Sequence, residues 1–186
     1  MKIGFAMCGS FCTFDTVFPV MEELAKAHTI TPILSIAAAT IDSRFGTAQA
    51  HIERIIKICG AAPLRTIDAV EPIGPKKLLD ALIIAPCTGN TLAKLAHSIA
   101  DSPVTMAAKS HLRNGRPVLV AISTNDALAG AAENIGKLLG RRHYYFVPFG
   151  QDDPLKKPTS IVADFSQIPQ ALQAAMEGKQ MQPILL

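Results

Sequence analysis

The residues best suited to chemistry lie in a loop near the middle of the chain. Residues 85–91, Ala-Pro-Cys-Thr-Gly-Asn-Thr, follow a short apolar run and precede a stretch with helical spacing. Small side chains at a strand-to-helix turn leave backbone N–H groups free to bind an anion, and the helix dipole adds partial positive charge. Residues 7–13, Met-Cys-Gly-Ser-Phe-Cys-Thr, have the same character. Two such turns predict a phosphate-bearing cofactor at the carboxyl edge of a sheet.

Polar residues also end two further predicted strands. Ser35 ends the second strand, where its hydroxyl either faces a ligand or bonds to buried backbone. Asn125 closes a later strand and either faces the same site or caps the next helix, and Asn90 is suited to both roles at its own helix. The alternative for these loops is an ordinary tight connection capped by small residues. The candidate cofactor-binding residues are Gly9, Ser10, Thr13, Ser35, Thr88, Gly89, Asn90, Thr91 and Asn125.

The chain has four cysteines, whose spacing supports neither a disulfide framework nor a zinc site. No metal site is therefore predicted. Cys8, Cys12 and Cys87 are expected at one sheet edge, where a helix N-terminus can lower the pKa of a thiol. The alternative is that they are small apolar side chains of the core. No residue is assigned as catalytic.

Basic side chains provide a second set of candidates, because Arg can bind a carboxylate through two parallel hydrogen bonds. A solvated surface is the alternative for most of them. His51, His97 and His111 lie on predicted helices and have no visible partner for general-base catalysis. The cationic candidates for binding a dicarboxylate or a phosphate are Lys109, Arg113, Arg141, Arg142, Lys156 and Lys157.

Strands and helices alternate along the chain, and these elements must position the candidate residues. Strands are predicted at 2–7, 31–36, 63–66, 81–85, 117–122 and 144–147. Helices are predicted from near Asp15, after Gly46 to a stop at Gly60, from near Thr91, after the Ser102 cap, over 126–139 and around 168–175. A brief helical turn is predicted at 77–79, and 149–159 is predicted to be a polar irregular segment.

This alternation predicts an α/β fold, a single doubly wound parallel sheet with helices on both faces in a three-layer sandwich. At 186 residues the chain is expected to form one domain, 1–186, with the C-terminal segment 149–186 packed on it. Helix 126–139 is expected to turn Leu128, Ala131, Ala132, Ile135 and Leu139 towards the core.

The composition disfavours several classes of function. Apolar residues make up 49% of the chain, enough for a full core, yet no apolar run approaches the roughly 18 residues of a membrane span. Aromatic content is 5%, tryptophan is absent and the net charge is only +3, so nucleic-acid binding is not expected. We expect a cytoplasmic protein without membrane partners.

The strand-end loops resemble those of the flavin-binding Rossmann-like superfamily of peptidyl-cysteine decarboxylases, phosphopantothenoylcysteine decarboxylase and flavin prenyltransferases. Its Pro-Ala-Ser-Ala-Asn-Thr loop, which binds FMN, corresponds to 86–91, Pro-Cys-Thr-Gly-Asn-Thr. Its Pro-x-Met-Asn motif is reduced here to 122–125, Ile-Ser-Thr-Asn. The resemblance implies a flavodoxin- or Rossmann-like flavoprotein fold, an FMN or a phosphate-like anion in its place, and a homo-oligomer. The decarboxylases also have a substrate-clamp cysteine, which is missing from 149–159, so peptidyl-cysteine decarboxylation is disfavoured.

A closer resemblance, to the family of dipicolinate synthase B subunits, is carried by 4–13, 85–95, 103–109 and 149–154. It implies a role, with the A subunit, in oxidising dihydrodipicolinate to dipicolinate in the mother cell of a sporulating bacterium. NADP is expected on the A subunit, since the first strand here is followed by no Gly-x-Gly-x-x-Gly. Two alternatives stay open: a free-standing FMN-dependent decarboxylase or prenyltransferase, and a non-catalytic binding subunit with a vestigial flavin site.

Overall fold

A seven-stranded, mostly parallel sheet forms the centre of the computed structural model, which describes all 186 residues. The strands are β1 Lys2–Met7, β2 Thr29–Leu34, β3 Ala81–Cys87, β4 Val118–Thr124, β5 Tyr144–Phe146, β6 Phe149–Asp153 and β7 Lys157–Ala163. Strands β2, β1, β3, β4 and β5 pair in that order and are parallel. The end of β4 pairs instead with β7, antiparallel, and β7 pairs with β6.

Helices cover both faces of the sheet. They are α1 Phe14–Ala27, α2 Ile36–Thr40, α3 Ala48–Cys59, α4 Ile67–Val70, α5 Gly89–Ala96, α6 Pro103–Leu112, α7 Ala132–Leu139 and α8 Ile168–Met176. Helix α1 packs with α3 and α8, whereas α5 packs with α6 and α7. The central strands are apolar and almost wholly buried, as strands covered on both faces must be. The predicted α/β sandwich is therefore confirmed. No helix is both long and apolar enough to cross a membrane.

Local signals placed several helix ends correctly. Ser102 caps α6 in a reciprocal arrangement with Thr105, and Pro103 takes the first helical position. Gly60 ends α3 with a φ of +66°, the left-handed conformation that glycine adopts without strain.

Other predicted elements are wrong, and each error has a physical cause. Residues 126–131 form turns rather than helix, because the Leu128 N–H donates to Thr159 O on β7. Leu128 and Leu139, predicted to face inward, are 50% and 45% exposed. In the predicted strand 63–66 only Leu64 pairs, with Ile33. The predicted helical turn at 77–79 is absent, and α4 with a 3₁₀ turn lies before it instead.

The segment 149–159, predicted to be irregular, belongs to the β6–β7 hairpin. Its tip is a turn in which Asp153 Oδ1 accepts the N–H groups of Leu155 and Lys156, at 3.2 and 3.1 Å. The C-terminal tail makes two backbone hydrogen bonds with Phe149. The Phe149 N–H donates to Ile184 O, and the Leu186 N–H donates to Phe149 O. The tail thereby satisfies backbone groups at the start of β6.

His111 makes the free energy of unfolding depend on pH. Its side chain is fully buried, with Nε2 3.1 Å from Pro117 O and Nδ1 unpartnered, and burial lowers its pKa to about 4. Because an unfolded histidine titrates near 6.5, acid protonates the unfolded state first. We expect this contribution to be complete above about pH 6.5 and to fall by about 2–3 kcal/mol as the pH drops to 4.

Urea unfolding of the wild type and of His111→Gln between pH 7 and pH 4 checks this prediction. The glutamine amide can still donate to Pro117 O but does not titrate, so the variant is expected to lose this part of the pH dependence. Equal pH slopes for the two proteins would contradict the assignment.

We propose that 1–186 unfolds as one domain, which predicts coincident transitions by far-ultraviolet circular dichroism and by tyrosine fluorescence.

Candidate cofactor site

Two cavities adjoin the carboxyl ends of the central strands, and the predicted cofactor-binding residues divide between them. The first, of about 510 Å³, lies between the loops after β1 and β3 and the start of α2; its predicted site residues are Gly9, Ser35, Thr88, Asn90 and Thr91. The second, of about 850 Å³, lies between the β1 loop, the end of β4 and the hairpin; its predicted site residues are Ser10, Thr13 and Asn125. Gly89 lines neither cavity.

The first cavity offers unused hydrogen-bond donors. The backbone N–H group of Gly9, which lines it, donates to no group of the protein, nor does that of the neighbouring Ser10, whereas the Thr88 N–H is directed at Cys8 Sγ. Lys94 lines this cavity, whereas no carboxylate side chain does. Free backbone donors beside a helix N-terminus and without a competing carboxylate suit an oxyanion such as a phosphate.

A chain of hydroxyl groups fixes the loop after β3. Thr88 caps α5 by accepting the Thr91 N–H at 3.4 Å, and the two hydroxyl oxygens are 3.1 Å apart. The Thr91 hydroxyl also donates to Cys8 Sγ at 3.3 Å, which joins this loop to the loop after β1. Thr88 thus takes the capping role that Asn90 was suited to. The Asn90 side chain is exposed, makes no hydrogen bond within the protein and lines the cavity.

Ser35 combines its two predicted roles. Its Oγ accepts the Ala38 N–H at 3.1 Å and so caps α2, and the side chain also lines the first cavity. The cap places α2 at the mouth of this cavity, where Ile36 is 60% exposed and, with Ile41, supplies an apolar wall.

In the second cavity the predicted hydroxyl groups are already bonded to backbone. The Ser10 hydroxyl donates to Ser123 O at 2.8 Å, and that of Thr13 donates to Ser10 O at 2.9 Å. Asn125 does not cap the following helix, because α7 begins only at Ala132. Its carbonyl accepts the Thr159 hydroxyl at 2.6 Å, and its side chain is exposed at the cavity.

Gly89 packs closely against two side chains near the end of β4. A Cβ atom there would lie 2.7 Å from Asp126 Oδ1 and 2.8 Å from Thr124 Oγ1. The loop after β3 therefore touches the residues at and just beyond the end of β4, and this contact is the role that the structure gives to Gly89.

Three polar residues of the first cavity, Thr40, Lys94 and Ser102, were not predicted as site residues from the sequence. Lys94 pairs with Asp101 at 2.9 Å, and Ser102 begins α6 beside them. The sequence signal was available for Ser102, which was recognised as a cap. It was not available for Lys94, because a single lysine on a predicted helix does not indicate a cavity. His, Cys, Asp and Glu side chains form no group of three that could hold a metal ion.

The three cysteines expected at the sheet edge differ in environment. Cys8 and Cys87 are fully buried, and burial raises the pKa of Cys8 to about 11 and that of Cys87 well above its usual range. Cys12 is exposed and lines the second cavity. Cys8 and Cys87 are therefore neutral thiols at physiological pH, as core residues and not as nucleophiles.

Alkylation by iodoacetamide at pH 8 tests this assignment. We expect Cys12 to react first and Cys8 and Cys87 to react at least about 100-fold more slowly, because a buried neutral thiol offers little thiolate. Peptide mapping by mass spectrometry identifies the modified residues, and Cys12→Ser should remove the fast phase. Rapid modification of Cys8 or Cys87 in the folded protein would refute the assignment.

Comparisons with known proteins agree with this architecture. The sequence model of the flavoprotein family matches residues 1–149. The B subunit of dipicolinate synthase from Bacillus subtilis (strain 168) is 43% identical over 186 residues, 100% of this chain and 93% of the relative. The crystal structure of the corresponding B subunit from Bacillus halodurans C has a TM-score of 0.91 and 43% identity, over 100% of this chain and 95% of that one.

A more distant structure, the FMN-dependent cysteine decarboxylase SpaF, has a TM-score of 0.69 and 25% identity over 94% of this chain and 97% of that one. The family match covers most of the chain, and the similarity to the two B subunits covers all of it. The chain therefore belongs to the flavoprotein family, and within that family its full-length similarity is to the B subunits of dipicolinate synthases.

Proposed function

We propose that this chain is the B subunit of a dipicolinate synthase and works with the A subunit of that enzyme to oxidise dihydrodipicolinate to dipicolinate. The 43% identity to the Bacillus subtilis B subunit, which extends over the whole chain, carries the proposal. The reaction removes a hydride and a proton from the dihydropyridine ring, and NADP⁺ accepts the hydride to become NADPH. Its setting would be the mother-cell cytoplasm of a sporulating bacterium.

The NADP is assigned to the A subunit, since this chain lacks the loop that binds a dinucleotide pyrophosphate. Only Gly4 and Gly9 occur between residues 2 and 13, and neither forms part of a Gly-x-Gly-x-x-Gly turn. This chain would then contribute to substrate binding and to assembly, both with further copies of itself and with the A subunit. The substrate, a ring dicarboxylate, requires cationic or N–H donors.

The first cavity fits the phosphate group of FMN. The unused N–H groups of Gly9 and the neighbouring Ser10 would bind its oxygens, and no carboxylate of the cavity opposes its charge. FMN, when bound, would supply a ring able to exchange a hydride with a substrate. Ile36 and Ile41 would exclude water from one side of the ring, and the free amide of Asn90 would donate to the ligand. Ser35, Thr91 and Gly89 would hold the loops in place. Ser10, Thr13 and Asn125 would extend the site towards the second cavity.

An absorbance spectrum of the purified protein before and after excess FMN, with dialysis between, tests the cofactor. Retained flavin near one equivalent supports a cofactor site at these loops. A second measurement tests the function: formation of NADPH from dihydrodipicolinate by the A subunit, with and without this chain. Acceleration that requires both chains supports the proposed function, whether or not flavin is retained. Full activity of either chain alone overturns it.

A free-standing FMN enzyme is the second candidate, and the fold shared with the FMN-dependent SpaF favours it. It predicts a yellow protein that acts without the A subunit. The hairpin argues against peptidyl-cysteine decarboxylation, because β6, β7 and their turn contain no cysteine. Flavin retained by a chain that does not activate the A subunit would favour this candidate. A flavin-free protein that does activate the A subunit would instead indicate a binding subunit with a vestigial flavin site.

A further inference from the structure

A third cavity, of about 480 Å³, collects basic side chains that are distant in the sequence. It lies between α5, α6 and the turn before β5, and no carboxylate lines it. Its basic lining residues are Lys109, Arg113, Arg141, Arg142 and His143. Four of these were cationic candidates from the sequence. The other two candidates, Lys156 and Lys157, lie on the hairpin, where Lys157 pairs with Asp152 at 2.6 Å.

The cations of this cavity are not neutralised by the protein. Lys109, Arg113 and Arg142 form no ion pair. Arg141 is held in place by the C-terminal end of α5, where its guanidinium donates to Leu95 O at 2.9 Å and Ala96 O at 2.6 Å. A guanidinium already fixed by backbone carbonyls loses little conformational entropy when it binds a ligand. Net positive charge is therefore concentrated at this cavity, and Arg141 is the one cation there that the protein holds in place.

Tyr144 provides a neutral donor on the same wall. The residue is only 8% exposed, and its hydroxyl has no hydrogen-bond partner in the protein. Burial raises the pKa of Tyr144 to about 12, so the phenol keeps its proton at physiological pH. The hydroxyl oxygen itself is not sealed from solvent, so it is available to donate to water or to a ligand in the cavity. Leu95, Ile99 and Leu112 supply apolar lining beside it.

We propose that this cavity binds a small dianion, a molecule with two carboxylates or a phosphate group on a compact apolar body. Its volume lies in the range of small-molecule sites, and guanidinium groups match both kinds of anion. Tyr144 begins β5 and Arg113 lies shortly before β4, which places the cavity towards the amino edge of the sheet. It is therefore separate from the candidate cofactor site, and the proposal does not rest on the proposed function.

Isothermal titration of the full chain with two probes, phenyl phosphate and pyridine-2,6-dicarboxylate, tests the proposal and distinguishes the phosphate from the dicarboxylate source. We expect at least one probe to bind saturably at one site. Arg142→Gln and Lys109→Gln are each expected to weaken that binding about tenfold, the scale of one charge-assisted hydrogen bond. Both side chains are exposed, so the fold is expected to be unchanged.

Matched controls remove the same charge elsewhere: Arg65→Gln and Lys76→Gln, at exposed positions outside this cavity. Unchanged binding by the controls, with weaker binding by the cavity variants, supports the site. The proposal is overturned if neither probe binds saturably, or if the controls weaken binding as much as the cavity variants. Retention of FMN by Arg142→Gln is measured in parallel, so failure here is distinguishable from failure of the cofactor assignment.

Discussion

Asn90→Asp is expected to weaken FMN binding by about 10- to 100-fold while leaving the fold intact. The substitution keeps the size of a side chain that has no partner in the protein and places a carboxylate in a cavity that contains none. Repulsion between this carboxylate and a flavin phosphate a few ångströms away is worth about 1–3 kcal/mol at a partly screened site. An aspartate in the first turn of α5 interacts favourably with the helix dipole, so stability is expected to be unchanged or slightly higher.

Fluorescence titration of FMN gives the dissociation constants, and thermal unfolding gives the stability. The control is Gln173→Glu, the same change of charge on the exposed side of α8. Asn125→Asp adds a carboxylate to the second cavity and reports whether the cofactor extends that far. FMN binding by Asn90→Asp that equals the wild type would exclude the first cavity as the phosphate site.

Gly74→Ala is expected to lower the free energy of unfolding by about 3 kcal/mol, whereas Gly136→Ala is expected to raise it by about 0.5–1 kcal/mol. A Cβ atom on Gly74 would lie 2.3 Å from the backbone carbonyl oxygen of Ser110, and neither backbone can move freely. The Gly74 N–H donates to Ser110 Oγ at 2.9 Å, and Gly74 O accepts from Asn114 Nδ2 at 2.9 Å. Relief of the clash would break these buried bonds.

Gly136 is the matched case, in the interior of α7 with no atom within 4 Å of an added Cβ. Alanine there reduces the conformational freedom of the unfolded chain at no steric cost. Urea unfolding at neutral pH measures both variants. A Gly74→Ala protein as stable as the wild type would show that the 71–74 turn can move away from α6 without loss of stability.

How far the sequence determined the site depends on the distance over which each signal acts. Residues 7–13 and 85–91 were recognised because a strand, a small-residue turn and a helix start are all encoded within a few neighbours. The helix α2 was missed, although Ser35 was a candidate, because the five residues of Ile36–Thr40 carry too little periodicity to identify a helix. Its position at the mouth of the first cavity depends on packing against α3 and β2.

The division of the candidate residues into two cavities was beyond the sequence for the same reason. Gly9 and Ser10 are neighbours in the chain, yet they line different cavities because the β1 loop lies between α2 on one side and the hairpin on the other. The hairpin itself depends on the pairing of Ser123 with Val162, residues far apart in the chain. Polar residues at 149–159 gave no periodic signal, since most of them are exposed on both sides of the hairpin and no buried side imposes an alternation.

The sequence by itself determined the central apolar strands, the capped helix starts and the two small-residue loops for which we predict anion binding, because neighbouring residues decide backbone conformation and burial. Only the tertiary structure decided which candidates meet. It separated Asn90 from Asn125, assigned the cap of α5 to Thr88, and brought Lys109 and Arg113 to Arg141 and Arg142. The relative positions of these residues depend on how helices and strands pack, which no short stretch of sequence encodes.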